Sequence, residues 1–217
     1  MGNVTGDHRD YWEQFYAAAR SSEVPLAASS FATWVEDRLG AETLVVDVGC
    51  GNARDSLFFA QQGRAVIGLD YAHSAVQKGR HAARKAGWDH VEFAQLDLYE
   101  ADAVARTAAE LSARQPVAIY ARFLVHAVEE EGRHGLWNLA RQANVVGTGE
   151  LFMEFRTGKD ANLPHVFGEH YRNYLEPQLV VDEVEALGGT VVHREEGHGL
   201  AVYRDEDPHV SRLVVRW

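Results

Sequence analysis

The chain has 217 residues and one cysteine, and its 21 Lys and Arg residues against 32 Asp and Glu residues give a formal net charge of −11. This length suits one domain with a full hydrophobic core, and the acidic balance disfavours nucleic acids and anionic membranes as partners. Cys50 alone excludes an internal disulfide and suits the cytoplasm. Because residues 1–10 lack the regions of a signal peptide and no apolar run could cross a membrane, we expect a cytoplasmic protein without a membrane partner.

The predicted elements alternate between helix and strand along the chain. Helical periodicity is present over 11–19 and 31–39. Strands are predicted over 44–48, 65–69, 91–94, 117–121 and 150–155, separated by helices over 55–62, 74–86, 101–113 and 136–145. This alternation predicts a parallel sheet with helices on both faces. A helix over 181–187 and strands over 190–194 and 210–216 complete the chain, and strands without an intervening helix should pair antiparallel. The long irregular stretch 156–177 is typical of a functional loop.

The turn after the first strand carries two glycines, in the run Asp47-Val48-Gly49-Cys50-Gly51. Ligands of open α/β sheets bind beyond the carboxyl ends of the strands, and glycines there allow a tight turn and a close approach of the backbone to a ligand. Arg54 stands where the dinucleotide fingerprint requires its third glycine. The turn therefore predicts a small-ligand site of another kind.

This turn and two later runs resemble the motifs of class I S-adenosylmethionine-dependent methyltransferases, over roughly residues 40–217. The second strand ends in the acid Asp70, and the third is followed by Asp97-Leu98. The resemblance implies S-adenosylmethionine as the cofactor and a Rossmann-like α/β fold with a mostly parallel seven-stranded sheet, an antiparallel C-terminal strand pair and helices on both faces. It implies that Asp70 accepts hydrogen bonds from the ribose hydroxyls, that Asp97 lies near the adenine amino group, and that Leu98 lies against the ring.

The resemblance also implies a lid at the N-terminus, because in small-molecule members an N-terminal helix folds over the cofactor. We expect one domain, 1–217, with a helical lid at 1–40 and a core at 41–217. Trp12 and Tyr16 are four residues apart and share a helix face, so they are the lid candidates, with core packing as the alternative. The predicted cofactor-binding residues are Trp12, Tyr16, Asp47, Gly49, Gly51, Arg54, Asp70, Tyr71, Asp97 and Leu98.

The acceptor should bind beyond the ends of the fourth and fifth strands, which carry Arg122, His126 and Arg156. The long loop adds further cationic and hydroxyl side chains: His165, His170, Tyr171 and Arg172. This clustering predicts a pocket for a small anion, with Arg122 and Arg156 as catalytic residues that grip its oxygens. Structural ion pairs of these arginines with Glu129 or Glu154 are the alternative. The histidine spacing predicts no metal site.

The runs 120–126 and 152–157, together with 166–172 and 205–208, resemble a bacterial subgroup of small methyltransferases. Its members act on phosphonates, in antibiotic biosynthesis, or on phosphate-derived groups of surface polysaccharides. A fainter likeness, through Arg122 and the aromatic N-terminal helix, is to thiopurine S-methyltransferases. O-methylation of a phosphonate is therefore expected. S- or N-methylation of a heteroaromatic or carboxylate-bearing metabolite and a non-catalytic cofactor-binding protein stay open, as does the oligomeric state.

Overall fold

The computed structural model describes residues 5–18 (with side chains from Tyr11), 27–114, 116–144, 149–161 and 173–217. These residues form one seven-stranded sheet and seven α-helices. The strands are β1 (Leu44–Val48), β2 (Val66–Asp70), β3 (Val91–Gln95), β4 (Val117–Arg122), β5 (Glu150–Arg156), β6 (Thr190–Gly197) and β7 (Val210–Arg216). The helices are α1 (Thr5–Ala17), α2 (Ser30–Glu36), α3 (Arg54–Gln61), α4 (His73–Ala86), α5 (Ala101–Ser112), α6 (Glu130–Ala143) and α7 (Pro177–Ala186).

The sheet has the strand order β3-β2-β1-β4-β5-β7-β6. The first five strands are parallel, and β7 lies between β5 and β6, antiparallel to both. The predicted fold class, with its antiparallel C-terminal pair, is confirmed. The order reverses between β1 and β4, so the carboxyl ends of these strands form the crevice in which open α/β sheets bind ligands.

Each face of the sheet carries its own hydrophobic core. Val46 on one face packs in a cluster with Trp137 of α6, and its neighbour Val45 packs on the opposite face with Phe31 of α2 and Phe59 of α3. Alternate residues of a strand point to opposite faces. Helices on both sides therefore explain why β1 is apolar almost without interruption and why all five of its residues are buried.

The N-terminal region predicted as a lid, residues 1–40, contains two different kinds of helix. In α2 the side chains of Phe31, Ala32 and Val35 are fully buried, so this helix is part of the core. In α1 the aromatic side chains line a cavity at the carboxyl end of the sheet. Of these two helices, α1 is the one that the lid prediction concerns, and its role as a lid stays a prediction.

Two helices begin earlier than their apolar pattern indicates. Helix α6 begins at Glu130 rather than Leu136, because its first turn is acidic, which suits a helix N-terminus, and contains no large apolar residue. A side chain at Gly135 would collide with the carbonyl oxygen of Leu98, so this glycine allows α6 to pack closely on that segment. Helix α7 begins at Pro177 rather than Val181, since proline is preorganised for the first helical position.

Candidate active site

A cavity of about 290 Å³ opens at the carboxyl ends of the parallel strands. Every described residue that the sequence predicted for the site lines it: Trp12, Tyr16, Asp47, Gly49, Gly51, Arg54, Asp70, Tyr71, Asp97, Leu98, Arg122, His126 and Arg156. Their convergence on one cavity agrees with the sequence reasoning, whereas their individual roles stay predictions. His165, His170, Tyr171 and Arg172 lie outside the described residues.

The glycine turn closes one side of this cavity. Gly49 and Gly51 have φ angles of 73° and 53°, in the left-handed region that glycine enters without strain. The N–H groups of Gly49 and Cys50 donate to the carbonyl oxygen of Leu69, at 2.7 and 3.1 Å, and so tie the turn to β2. A side chain at Gly51 would collide with the hydroxyl of Tyr16. The two glycines are thus required by the backbone and by the close packing of α1.

Asp70, the last residue of β2, is held by main-chain donors. Its Oδ2 accepts from the N–H of Gly51 and its Oδ1 from the N–H of Ala72, both at 2.9 Å. Burial raises the pKa of this carboxyl to about 6, although the backbone donors oppose the change. Because a carboxylate has about four acceptor positions, both oxygens keep capacity for the hydroxyls of a ribose.

Asp47 is a buried carboxyl in the middle of the site. Its Oδ2 accepts from the Oγ of Ser56 at 2.5 Å, which supplies the partner that a buried carboxyl needs. Burial raises the pKa of Asp47 to about 7, with the Ser56 hydrogen bond acting in the opposite direction. Near neutral pH this group therefore exchanges between its charged and neutral forms.

Cys50, which lines the same cavity, is a buried residue of the glycine turn. Burial and the nearby Asp70 raise the pKa of its thiol well above the usual value. A thiol with a raised pKa is protonated at neutral pH and is a poor nucleophile, so Cys50 suits a packing role in the turn.

Helix α1 covers the cofactor side of the cavity and is fastened to the start of α4. The rings of Trp12 and Tyr16 stack at 5.9 Å between centroids. The carboxylate of Glu13 accepts from the N–H of Ser74 at 3.3 Å and from its hydroxyl. The Nζ of Lys78 donates to the carbonyl oxygen of Tyr16 at 2.5 Å. The hydrogen bonds from Ser74 lower the pKa of Glu13, so its charged form is stabilised in this contact.

The end of β3 completes the cofactor side. The Oδ1 of Asp97 accepts from the N–H of Tyr99 at 3.0 Å, and the Tyr99 hydroxyl accepts from the N–H of Glu129 at 3.0 Å. Gln95 Nε2 donates to the carbonyl oxygen of Tyr71 at 2.6 Å. These contacts fix the wall on which Leu98 and Asp97 lie.

Arg122, at the end of β4, is held from behind by a buried carboxylate. Its Nε donates to Glu154 Oε1 at 2.9 Å, and Glu154 is completely buried. The guanidinium carbon lies 4.2 Å from the ring centroid of Phe123. Burial opposes the charge, but Glu154 outweighs it and raises the pKa of Arg122. The ion pair with Glu154, which the sequence left open, is therefore present.

This ion pair belongs to a row of four alternating charges that crosses the sheet. Arg122 of β4 is in register with Glu154 of β5, Glu154 with Arg212 of β7, and Arg212 with Glu195 of β6. Glu154 Oε2 accepts from Arg212 Nε at 2.8 Å, and Arg212 Nη1 lies 3.4 Å from Glu195 Oε1. Direct cross-strand neighbours are close enough for each pair to interact. The row balances the charge of Arg122 and fixes its direction.

Arg156, at the end of β5, has more of its side-chain donors hydrogen-bonded than Arg122 has. Its Nη1 donates to Asp160 Oδ2 and its Nη2 to Glu206 Oε1, both at 2.5 Å. Its backbone N–H donates to His126 Nδ1 at 3.2 Å. The anticipated ion pairing of Arg156 is thus present with partners other than Glu129 and Glu154. Among the described residues, the charges of both arginines are therefore offset by carboxylates, from the neighbouring Asp160 and from the more distant Glu206 and Glu154.

Phe123 adopts a left-handed backbone conformation, with φ 56°, between the two arginines. Its N–H donates to the carbonyl oxygen of Glu154 at 2.7 Å. The guanidinium carbon of Arg156 lies 5.3 Å from its ring centroid, on the residue that Arg122 also contacts. Such strain in a non-glycine residue persists where the surroundings impose it, often at functional sites.

The sequence reasoning missed a buried polar network in the wall of the cavity. Asp55 accepts from the N–H of Ser29 at Oδ1, and from the hydroxyls of Ser29 and Tyr120 at Oδ2, each at 2.8 Å. Ser29 also caps α2 through a hydrogen bond from the N–H of Ala32. An acid in the first turn of a helix predicts only a favourable helix end, so no local signal showed this network.

The connection between β6 and β7 was missed as well. Ala201, Tyr203 and Glu206 line the acceptor side of the cavity from this connection. The resemblance over 205–208 was the one available signal. Within the described residues, no cluster of three or more His, Cys, Asp or Glu side chains has the arrangement of a metal site, and no helix there is both long and apolar enough to cross a membrane.

Comparison with known proteins finds similarity to methyltransferases, both in sequence and in fold. Residues 39–111 match the model of a methyltransferase domain family. A curated relative, the 2-heptyl-1-hydroxyquinolin-4(1H)-one methyltransferase of Mycobacteroides abscessus, is 37% identical over 54 residues. That match spans 25% of this chain and 24% of the relative, so it reaches only a quarter of the relative's length.

Solved structures resemble the whole fold at low sequence identity. An S-adenosylmethionine-dependent methyltransferase from Anabaena variabilis ATCC 29413 superimposes with a TM-score of 0.73 at 18% identity, covering 100% of this chain and 96% of that one. A protein of echinomycin biosynthesis gives 0.68 at 19% identity, with coverage of 88% and 82%. The glycopeptide N-methyltransferase MtfA, bound to S-adenosylmethionine, gives 0.64 at 16% identity, with coverage of 87% and 94%.

The fold is therefore that of the class I methyltransferases. The family match covers about a third of the chain, the part that contains the glycine turn, Asp70 and Asp97. Together with the curated relative and the structural neighbours it supports an S-adenosylmethionine-dependent methyltransferase with S-adenosylmethionine as the cofactor.

Proposed function

We propose that this protein is an S-adenosylmethionine-dependent methyltransferase that methylates an oxygen of a small anionic metabolite, a phosphonate being the favoured class. The proposal is carried by one cavity that all ten predicted cofactor residues line, and whose other side Arg122, His126 and Arg156 line. We place the reaction in the cytoplasm and in natural-product biosynthesis. The subgroup resemblance and the structural neighbour from echinomycin biosynthesis support that setting.

The cofactor side fits S-adenosylmethionine, which supplies an electrophilic methyl group on a sulfonium. Asp70 is positioned by two backbone donors and keeps acceptor capacity for ribose hydroxyls. The Gly49 and Gly51 turn permits close approach of a ligand to the backbone. Helix α1, with Trp12 and Tyr16 over the cavity, serves as the lid.

The acceptor side positions an oxygen that needs no strong base. A phosphonate is anionic near neutrality, as is the comparable phosphate group with its second pKa at about 6. Arg122, fixed by Glu154, holds a non-reacting oxygen, so that the nucleophilic oxygen is not quenched. Aromatic rings of Phe123 and Tyr203 beside this point exclude water, which favours a reaction in which an anion meets a cation.

The proposal is tested by methyl transfer from labelled S-adenosylmethionine to a small phosphonate. Arg122→Ala and Arg156→Ala are compared with Arg114→Ala, which removes an exposed arginine paired with Glu92 away from the cavity. We expect Arg122→Ala to lower kcat/KM by about tenfold or more, the usual size of a charge-assisted hydrogen bond. Arg156→Ala should lower it too, partly through loss of the Asp160 and Glu206 contacts. Wild-type kcat/KM in both variants would exclude an anion pocket.

A heteroaromatic acceptor is the second candidate, because the curated relative is named for a hydroxyquinolinone and aromatic side chains line the cavity, among them Trp12, Phe123 and Tyr203. Product analysis over a panel of phosphonates, heteroaromatic compounds and carboxylates separates the candidates by the atom that receives the label. Cofactor binding without turnover of any acceptor would support a non-catalytic binding protein instead.

A further inference from the structure

Resting on the proposed function, we infer that Arg54 belongs to the acceptor side of the cavity and forms, with Arg122, a two-arginine clamp for one oxyanion group of the substrate. The group is one that offers at least two oxygens, such as a phosphonate. The sequence predicted Arg54 as a cofactor residue because it follows the glycine turn. In the structure, its side chain lies instead near residues that are linked to the end of β4.

The side chain of Arg54 is linked to β4 by the buried polar network that contains Asp55 and Tyr120. Its Nε lies 3.4 Å from Asp55 Oδ1, and Asp55 Oδ2 accepts from the Tyr120 hydroxyl at 2.8 Å. Tyr120 and Arg122 are two residues apart on β4, so their side chains lie on the same face of the sheet. Arg54 from α3 and Arg122 from β4 therefore approach the same cavity, which both of them line.

The charges around Arg54 agree with this placement. Burial is the main cause that lowers the pKa of Arg54, Asp55 counteracts it, and the like charge of Arg122 lowers it further; Tyr120 and Tyr203 also act on it. Tyr203 belongs to the β6–β7 connection on the acceptor side. Two guanidiniums that face each other across a cavity repel until an anion lies between them.

The donors of the two arginines are open in the part of the chain that the structure describes. The buried Arg54 Nε makes no hydrogen bond there, and its ion-pair partner, Asp55 Oδ1, lies at 3.4 Å. Among the described residues, Arg122 donates through Nε to Glu154 and none accepts from its Nη atoms, which can therefore face a ligand. Arg156 differs, because both of its Nη atoms donate to carboxylates. The open donors of Arg54 and Arg122 suit forked binding of an oxyanion.

The clamp is tested by calorimetry on the full chain, first with S-adenosylhomocysteine and then with methylphosphonate added to that complex. The variants are Arg54→Gln, Arg122→Gln and the double variant, and Arg114→Gln is the exposed control. We expect Arg54→Gln to leave the affinity for S-adenosylhomocysteine within about twofold and to weaken methylphosphonate binding by about tenfold or more. The double variant should lose less than the product of the single losses, since both arginines act on one anion.

A variant that keeps the charge shows whether the loss of affinity comes from the lost charge or from misfolding. Arg54→Lys retains a cation without the planar fork, so it should keep part of the methylphosphonate affinity that Arg54→Gln loses. The neutral ester dimethyl methylphosphonate should bind the wild-type complex at least tenfold more weakly than methylphosphonate, because the clamp acts on charge.

The experiment distinguishes failure of the clamp from failure of the proposed function. No binding of S-adenosylhomocysteine by the wild-type chain would overturn the proposed function and the clamp together. Binding of methylphosphonate that is equally tight in the wild-type chain, in Arg54→Gln and in the double variant would overturn the clamp alone, whereas S-adenosylhomocysteine binding without any methylphosphonate binding would overturn the clamp and the phosphonate class together. Weaker S-adenosylhomocysteine binding by Arg54→Gln, with methylphosphonate affinity unchanged, would return Arg54 to the cofactor side.

Discussion

Two buried carboxyl groups lie within the cofactor side, and their surroundings affect them differently. Asp70 ends β2 and accepts two backbone hydrogen bonds, whereas Asp47 lies inside the site with one hydroxyl partner. Burial raises the pKa of Asp70 to about 6 and of Asp47 to about 7. The larger shift belongs to the group with fewer donors, as expected when hydrogen bonds offset the loss of water.

The shift of Asp47 predicts a dependence of stability on pH. Its pKa is higher in the folded protein than the usual 3.8, so ionisation disfavours folding, and this penalty grows as the pH rises from about 4 to about 7. We expect Asp47→Asn to raise the Tm of the cofactor-free protein by several degrees at pH 8 and by progressively less towards pH 4, since about 1 kcal/mol moves the Tm of such a chain by roughly 2–4 °C.

Thermal unfolding followed by circular dichroism between pH 4 and 8 measures this effect. Asp89→Asn, at an exposed position, is the control for an added surface amide. An Asp47→Asn variant that is no more stable than wild type at pH 8 would show that ionisation of the buried carboxyl does not destabilise the folded protein.

At the scale of elements, α1 depends on one polar contact for its position over the cavity. Glu13 binds both the N–H and the hydroxyl of Ser74 near the start of α4. An acidic side chain there also interacts favourably with the helix dipole. If α1 is the proposed lid, loss of this contact should change the rate at which the cofactor leaves rather than the chemistry of transfer.

We therefore predict that Glu13→Ala and Ser74→Ala each increase the dissociation rate of S-adenosylhomocysteine by about three- to tenfold, in line with the usual worth of a helix-capping contact. Stopped-flow tryptophan fluorescence follows the release, because Trp12 lines the cavity while the other four tryptophans do not. Gln14→Ala, an exposed position in the same helix, should leave the rate unchanged. Equal rates in all variants would mean that the contact does not hold the lid.

The charge row across β4, β5, β7 and β6 is a second element with a measurable effect. Glu154 is fully buried and serves two arginines at once. Removing one member of a buried ion pair leaves an uncompensated charge, which typically costs about 3–5 kcal/mol. At the other end of β5, Glu150 pairs in register with Arg216, whose side chain is largely exposed.

These two glutamates on one strand give a matched comparison. Glu154→Gln should lower the free energy of unfolding by about 3 kcal/mol or more, whereas Glu150→Gln should lower it by less than about 1 kcal/mol. Urea unfolding measures both. Similar losses in the two variants would show that the row is not a buried ionic structure.

At the scale of the whole molecule, the cavity joins segments from almost the full length of the described chain, from Trp12 to Glu206. A ligand that binds only the folded state stabilises it by about 2.7 kcal/mol at a concentration 100 times its Kd. We expect S-adenosylhomocysteine at that concentration to raise the Tm by roughly 5–10 °C.

Asp70→Asn is the decisive variant for this prediction. It should weaken cofactor binding by about tenfold or more, because the amide accepts fewer hydrogen bonds than the carboxylate, and should reduce the rise in Tm at the same ligand concentration. Calorimetry measures the affinity directly, and Asp102→Asn on the exposed side of α5 is the control. Unchanged affinity in Asp70→Asn would refute the ribose assignment.

Much of the fold and of the cofactor side could be predicted because their signals are local. The apolar run Leu44–Val48 requires burial on two faces, and Gly49 and Gly51 occupy backbone conformations that other residues avoid. A strand-ending acid such as Asp70 is placed by chain order, since parallel strands all end at the same edge of the sheet. Each feature depends on a few consecutive residues, so the sequence alone determined the α/β class, the antiparallel end of the sheet and the position of the glycine turn.

The acceptor side required the tertiary structure, because its contacts join distant residues. Asp160 and Glu206 balance Arg156, and Glu154 fixes Arg122 through a strand register that no local pattern encodes. The cations were visible in the sequence, and Glu154 was one of two partners left open for them, but the pairing of Arg156 with Asp160 and Glu206 was not anticipated. Charge in a pocket depends on which side chains fold within a few ångströms of one another, and only the folded chain decided that Arg122 keeps open donors while Arg156 does not.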